Sequence, residues 1–273
     1  MADRPGPLLI IGGKEDKEDD KIILQAVAER LQGGRLVIAT VASHEPDGYF
    51  DAYKAAFAGL GVHDLVELYV EERADSGGED ALSRLDGAAA VFFTGGDQLR
   101  ISSQIGDTSL ERRILDLHRA GGLIAGTSAG ASVMSETMLV KGPSSESYRI
   151  GEVHMAPGLG LVKDVIIDQH FAERGRYGRL LGAVAHNPRL LGVGIDEDTA
   201  LLVEGRDGRV IGSGAVYMVD GEAATHSNIA EARADRALSI FDVRTHVLSS
   251  GDAFDFDGRR PARGPDDADA EPG

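Results

Sequence analysis

The chain has 273 residues, 42% of them apolar and 27% charged, which is ordinary for a soluble globular protein and enough to bury a full core. A formal net charge of −17 argues against a nucleic-acid partner, and zero cysteines exclude disulfides, thiolate metal sites and a cysteine nucleophile. No apolar run approaches bilayer length and a short polar lead runs straight into a core strand, so the expectation is a cytoplasmic protein without signal peptide or membrane partner.

The apolar run over residues 8–13 predicts a strand and 21–31 a helix; 36–42 and 50–60 repeat that pair. Strands follow at 65–70 and 89–94, with helices near Ala81 and over 110–119. A strand at 123–125 enters Gly126-Thr127-Ser128-Ala129-Gly130, and a helix from about Ala129 leaves it. Strands at 165–168 and 190–195 bracket a helix over 178–184. Continuous apolar strands alternating with helices predict a mostly parallel sheet covered on both faces. After Thr199 the short runs 201–204, 210–212 and 215–219, parted by Gly-rich turns, predict antiparallel hairpins, and 239–248 predicts a last strand. One α/β domain over 1–258 is expected, with a flexible acidic tail rich in Pro, Gly, Asp and Ala over 259–273.

Four polar motifs each sit just after an apolar run: Thr94-Gly95-Gly96-Asp97-Gln98, the Ser128 segment, Asp168-Gln169-His170-Phe171 and Asp196-Glu197-Asp198-Thr199. Parallel strands bring such positions to one rim. A G-x-S-x-G cassette between strand and helix holds its serine on a sharp bend, with the next N–H groups aimed at an incoming carbonyl oxygen. Taken alone, Gly95-Gly96 is an ordinary strand-to-helix turn. Beside Ser128 its functional reading is an oxyanion hole made by the N–H groups near Gly96 and of Ala129. Of eight histidines, His170 is the best placed base, since it ends an apolar strand among polar neighbours. His44, His154, His226 and His246 are weaker rivals, and His63, His118 and His186 read as surface residues. The orienting acid is a three-way choice between Asp196, Glu197 and Asp198, because strand alternation does not say which faces His170. Arg174, Arg176 and Arg179 follow closely, where positive charge opposes the dipole of the helix they open. Guanidinium forks suit carboxylates, so the three read either as an anion clamp for a substrate carrying carboxylates or as solvated residues with surface carboxylate partners.

With the early Ile10-Ile11-Gly12-Gly13-Lys14-Glu15-Asp16 segment, these motifs make the chain resemble the cyanophycinases, in a serine-peptidase family that also contains aspartyl dipeptidases. The resemblance implies a flavodoxin-like three-layer α/β/α fold akin to class I glutamine amidotransferases, and a homodimer. It implies Ser128 as nucleophile, His170 as base and Glu197 as acid, an order that differs from the α/β-hydrolases. It implies cyanophycin as substrate, a polyaspartate whose side chains carry arginine, cut to β-Asp-Arg dipeptides through an acyl-enzyme with no metal or other cofactor. Gln98, Asp168, Gln169, Arg174, Arg176 and Arg179 match polymer-holding positions, the arginines for its carboxylates and the acid and amides for its guanidinium groups. An aspartyl dipeptidase acting on short Asp-containing peptides, or a non-catalytic binding protein on the same scaffold, is the alternative.

Overall fold

The computed structural model describes residues 5–44, 46–142, 149–230 and 236–262. The first half of the chain alternates strand and helix: β1 (Leu8–Ile11), α1 (Ile22–Arg30), β2 (Arg35–Ala39), α2 (Tyr49–Ala58), β3 (Leu65–Leu68), α3 (Glu79–Ser83), β4 (Ala88–Phe93), α4 (Gln98–Ile105), α5 (Ser109–Arg119) and β5 (Leu123–Thr127). A single helical turn, α6 (Ala129–Ser132), leads to a hairpin of β6 (Thr137–Lys141) and β7 (His154–Pro157). Next come β8 (Val165–Gln169), α7 (Tyr177–His186) and β9 (Leu191–Ile195). The chain finishes in strands: β10 (Thr199–Glu204), β11 (Asp207–Gly212), β12 (Val216–Asp220), β13 (His226–Ser227), β14 (Ile240–Phe241), β15 (Arg244–Leu248), β16 (Ala253–Asp255) and β17 (Arg260–Ala262).

The main sheet has nine strands in the order β17-β16-β11-β10-β1-β5-β4-β2-β3. Its half from β1 to β3 is parallel, while β10, β11, β16 and β17 extend it antiparallel. Strand alternation explains why its central strands read as unbroken apolar runs. Leu9, Ile11, Leu36, Ile38, Ala90 and Phe92 face α1 and α2, which contribute Ile23, Leu24, Val27, Tyr53 and Phe57. Leu8, Ile10, Val37, Val91, Phe93 and Ile124 face the opposite way, towards Ile101 and Ile105 of α4 and Leu110 and Ile114 of α5.

One feature departs from the single sheet expected. Strands β8 and β9 run parallel to each other in a separate four-stranded sheet, ordered β15-β12-β9-β8, and β12 joins them there instead of hairpinning onto β11. Val165, Ile167, Val193, Ile195 and Met218 share a core with the main sheet, while Ile166 and Phe171 pack beneath Leu180 and Val184 of α7. A strand buried on both faces has the same apolar signature in either sheet, so sequence could not separate them. Three smaller differences follow the same logic of local geometry. The expected strand 239–248 is split at Asp242, which takes a positive φ of 61°. His118 is buried on the inner face of α5 and is not a surface residue. Arg260–Ala262 of the expected tail pairs with β16 as an edge strand, whereas 263–273 lies outside the described residues. Among the described residues no helix is long and apolar enough to cross a membrane.

Candidate active site

β5 delivers Ser128 with φ 54° and ψ −111°, a conformation that L-residues rarely adopt and that a strand-to-helix elbow imposes. The second glycine of the cassette is required by close approach: a Cβ on Gly130 would come within 2.3 Å of the Phe93 carbonyl oxygen. Ser128 N–H donates to the Ile11 carbonyl at 3.0 Å, tying the elbow to β1. From β8, His170 sits at φ 49°, its N–H donating to the Gly12 carbonyl at 2.8 Å. Its imidazole lies directly over Gly13, whose φ is +115° and where any Cβ would meet the ring at 2.3 Å. Loops following β1, β5, β8 and β9 therefore meet at one place.

There the side chains line up. Ser128 Oγ is 2.9 Å from His170 Nε2, and His170 Nδ1 is 2.7 Å from Glu197 Oε1. Burial pushes the imidazole below its ordinary value, with the Arg174 and Arg176 charges in the same direction, against an upward pull from Glu197. The imidazole is therefore neutral, and able to accept a proton, at neutral pH. Burial raises Glu197 too, but hydrogen bonds from Lys14 and His170 outweigh it and hold the carboxylate below its usual range.

Geometry separates the three adjacent carboxylates that spacing left open. Asp196 turns inward, its oxygens accepting the N–H groups of Ala172 at 2.9 Å and Ala215 at 3.1 Å. Asp198 accepts the Asp16 N–H at 2.9 Å and the Ser213 hydroxyl at 2.7 Å. Only Glu197 of the three reaches His170. The rival histidines lie elsewhere: His246 on β15 packs beside Phe254, His226 lies tilted against Phe241, His154 is on β7, and His44 contacts Arg100 at 3.3 Å.

The Gly95-Gly96 turn lies against Ser128, since a Cβ on Gly95 would come within 3.4 Å of Ser128 Cβ. Among the described residues neither the Gly96 nor the Ala129 N–H donates to a protein acceptor. A cavity of about 820 Å³ opens beside this turn, lined by His44, Asp97, Arg100, Pro157 and Gly158 among others.

The six positions matched to polymer binding have unequal surroundings. Asp168 is fully buried. Its Oδ1 accepts the Gln169 N–H at 2.9 Å and Arg176 Nη1 at 3.1 Å, and Arg179 grips both oxygens in a fork, with Nε at 2.8 Å from Oδ2. Arg176 and Arg179 are thus buried counterions of Asp168, neither solvated residues nor a free anion clamp. Burial and the two neighbouring arginines lower Arg176 to about 10, against the raising effect of Asp168. Gln169 accepts from Arg176 Nη1 at 2.9 Å and reaches Ser132 Oγ at 3.4 Å, linking this cluster to the helical turn after Ser128. The Gln98 amide donates to the Leu139 carbonyl at 2.7 Å. Arg174 is exposed.

Two residues at the site escaped sequence reasoning. Lys14 Nζ lies 2.9 Å from Glu197 Oε2. Glu15 is buried beneath the elbow, accepting from Tyr53 OH at 2.5 Å, Lys17 Nζ at 2.9 Å and Thr127 Oγ1 at 2.6 Å. Their one signal was membership of the Gly-Gly-Lys-Glu-Asp segment after β1. Among the described residues no group of three or more His, Asp or Glu side chains is arranged to hold a metal ion.

The model of Peptidase family S51 matches residues 8–211. The cyanophycinase of Synechococcus elongatus is 39% identical over 256 residues, covering 92% of this chain and 79% of that protein. The cyanophycinase of Geminocystis herdmanii is 39% identical over 261 residues, covering 94% and 96%. Two solved structures share the fold at 20% identity. A peptidase from an acI-B1 Actinobacterium has a TM-score of 0.68, covering 94% of this chain and 99% of its own. A putative Peptidase E protein from Listeria monocytogenes EGD-e has 0.54, covering 77% and 100%.

Proposed function

The chain belongs to peptidase family S51, and we propose that it is a cyanophycinase, a serine exopeptidase that releases β-Asp-Arg dipeptides from multi-L-arginyl-poly-L-aspartate. The observation that carries the reading is the continuous hydrogen-bonded line from Ser128 through His170 to Glu197, in a chain 39% identical to curated cyanophycinases over most of its length.

In this mechanism Ser128 Oγ attacks a main-chain aspartyl carbonyl as its proton passes to His170 Nε2. Glu197 fixes the imidazole with its proton on Nδ1 and stabilises the imidazolium that forms. The Gly96 and Ala129 N–H groups hold the oxyanion of the tetrahedral intermediate. The imidazolium then gives its proton to the leaving amine, and the amine departs. Water, activated by the same histidine, hydrolyses the acyl-enzyme and frees the serine. Arg174, exposed beside the base, meets a polymer carboxylate. Asp168, Gln169, Arg176 and Arg179 form a buried cluster behind it, and Gln98 is held to the Leu139 carbonyl. The same reading makes the protein a homodimer, by family resemblance, that acts in the cytoplasm.

Incubation of the purified protein with cyanophycin, followed by mass analysis, tests the reading: β-Asp-Arg should accumulate. An intact polymer alongside cleavage of a free Asp-X dipeptide would replace it with dipeptidase activity. The choice of acid has its own test. Glu197→Gln should lower kcat by about 10³ to 10⁴, as when the orienting acid of a triad is neutralised. Asp196→Asn and Asp198→Asn lose only contacts to backbone and hydroxyl groups, so they should lower the urea midpoint and spare most of the turnover. If either Asn variant were the crippled one, Glu197 would not be the acid.

A further inference from the structure

The line of hydrogen bonds does not end at Glu197. Its Oε1 goes to His170 Nδ1, and the other oxygen, Oε2, is held by Lys14 Nζ at 2.9 Å. Glu197 keeps 18% of its side-chain surface in solvent, so a single hydrogen bond would leave the carboxylate free to rotate about its last torsion. We infer that Lys14 is a positioning residue of this site, its ammonium clamping the second oxygen of Glu197 so that the first stays in line with the imidazole. The inference rests on the proposed roles of His170 and Glu197.

The backbone supports this assignment. Lys14 has a φ of 48°, a region a lysine enters only when its surroundings fix it there. The surrounding turn is bound to both neighbouring segments: His170 N–H donates to the Gly12 carbonyl at 2.8 Å, and Asp198 N–H to the Gly13 carbonyl at 2.8 Å. The Asp16 N–H returns a bond to Asp198 Oδ1 at 2.9 Å. The turn that carries Lys14 is therefore fastened to the residue after the acid and to the base itself. Stability alone gives little reason for the contact, because the lysine side chain is 68% exposed and such pairs contribute little to folding.

A cation on the far side of Glu197 also opposes protonation of His170. The other charges around the pair are Glu173, which accepts the Glu197 N–H at 3.1 Å, Arg174 and Arg176 from the loop after β8, and the flanking Asp196, Asp198 and Asp16. All of these remain when Lys14 is changed.

The test follows His170 by NMR in protein carrying labelled histidine, together with the pH profile of kcat/KM on cyanophycin. In the unmodified protein the acid limb should fall below pH 6.5, since the folded imidazole is held below its ordinary value. Lys14→Met keeps the stem and removes the charge. It should move the His170 titration and the acid limb upward together by about half a pH unit, a roughly threefold loss of rate on the acid side, and leave in mild alkali the smaller loss of a Glu197 no longer held in line. Lys14→Arg should restore both. A His170 titration that stays in place in Lys14→Met, or a rate in mild alkali that does not fall at all, would overturn the inference. Because the NMR measurement needs no substrate, a titration that moves in a protein inert towards cyanophycin would sink the substrate reading and leave the role of Lys14 standing.

Discussion

Replacing Ser128 by alanine should abolish release of β-Asp-Arg while leaving the fold intact. Loss of a triad nucleophile costs on the order of 10⁶ in kcat, because the base and acid then have nothing to activate. The variant loses little else. The Ser128 hydroxyl contacts His170 Nε2 at 2.9 Å, whereas the Ser128 backbone N–H donates to Ile11 and does not depend on the side chain. Alanine takes the same φ of 54° under the same strain as serine, so the elbow is neither relieved nor worsened. The His170–Glu197 bond and its Lys14 contact remain in place. Stability should thus fall by about 1 kcal/mol, the usual cost of one hydrogen bond lost from a buried partner. Two measurements decide: dipeptide release followed by mass, and the urea midpoint. Turnover within tenfold of the unmodified protein would remove Ser128 as nucleophile. A large fall in midpoint would mean that the serine holds the elbow together.

How far such a site can be read in advance depends on what each residue needs from its neighbours. Ser128 was legible because an elbow requires small residues at fixed offsets, and Gly130 shows why, with the Phe93 carbonyl where its Cβ would be. His170 was legible because it ends a strand. Glu197 was not separable from Asp196 and Asp198 by spacing, since all three accept hydrogen bonds in one tight bend and the direction of each is set by tertiary partners. Lys14 and Glu15 entered only as members of the segment after β1; nothing local reveals that one touches Glu197 and the other is buried under Thr127. In the fold, β1, β2, β4 and β5 were evident as apolar runs, and so were β8 and β9. Assignment of the latter pair to a second sheet depends on contacts from residues far away in sequence. The Gly142-Pro143-Ser144-Ser145 run marks a loop, but with residues 142–153 between β6 and β7 it carries no two-residue turn signature that would pair them as a hairpin.

The arginines show the same limit most sharply, and they lead to the second large effect. Positive charge at the start of α7 suggested a substrate anion, yet Arg176 and Arg179 are buried with Asp168 as their shared counterion. Asp168→Ala should therefore destabilise the protein by about 3–5 kcal/mol, because two guanidinium groups would be left in a buried site with no carboxylate between them. That is a large part of the stability of an ordinary domain, and a downward shift of the urea midpoint would report it. Activity should fall with it, since Gln169 and His170 follow directly on Asp168 and Gln169 reaches Ser132 in the helical turn after Ser128. Loss of activity alone would thus not distinguish a folding role from direct contact with substrate. The triple replacement Asp168→Leu, Arg176→Met and Arg179→Leu does distinguish them. Exchanging a buried ion cluster for apolar side chains of similar volume is often neutral or stabilising, so the midpoint should recover most of what Asp168→Ala loses. If the cluster serves folding alone, cyanophycin turnover should recover in parallel. If its charge also shapes the wall that faces the polymer, stability should return while KM stays raised, because Arg174 alone would then meet the carboxylates. An Asp168→Ala variant with an unmoved midpoint would contradict the buried-counterion account at its root.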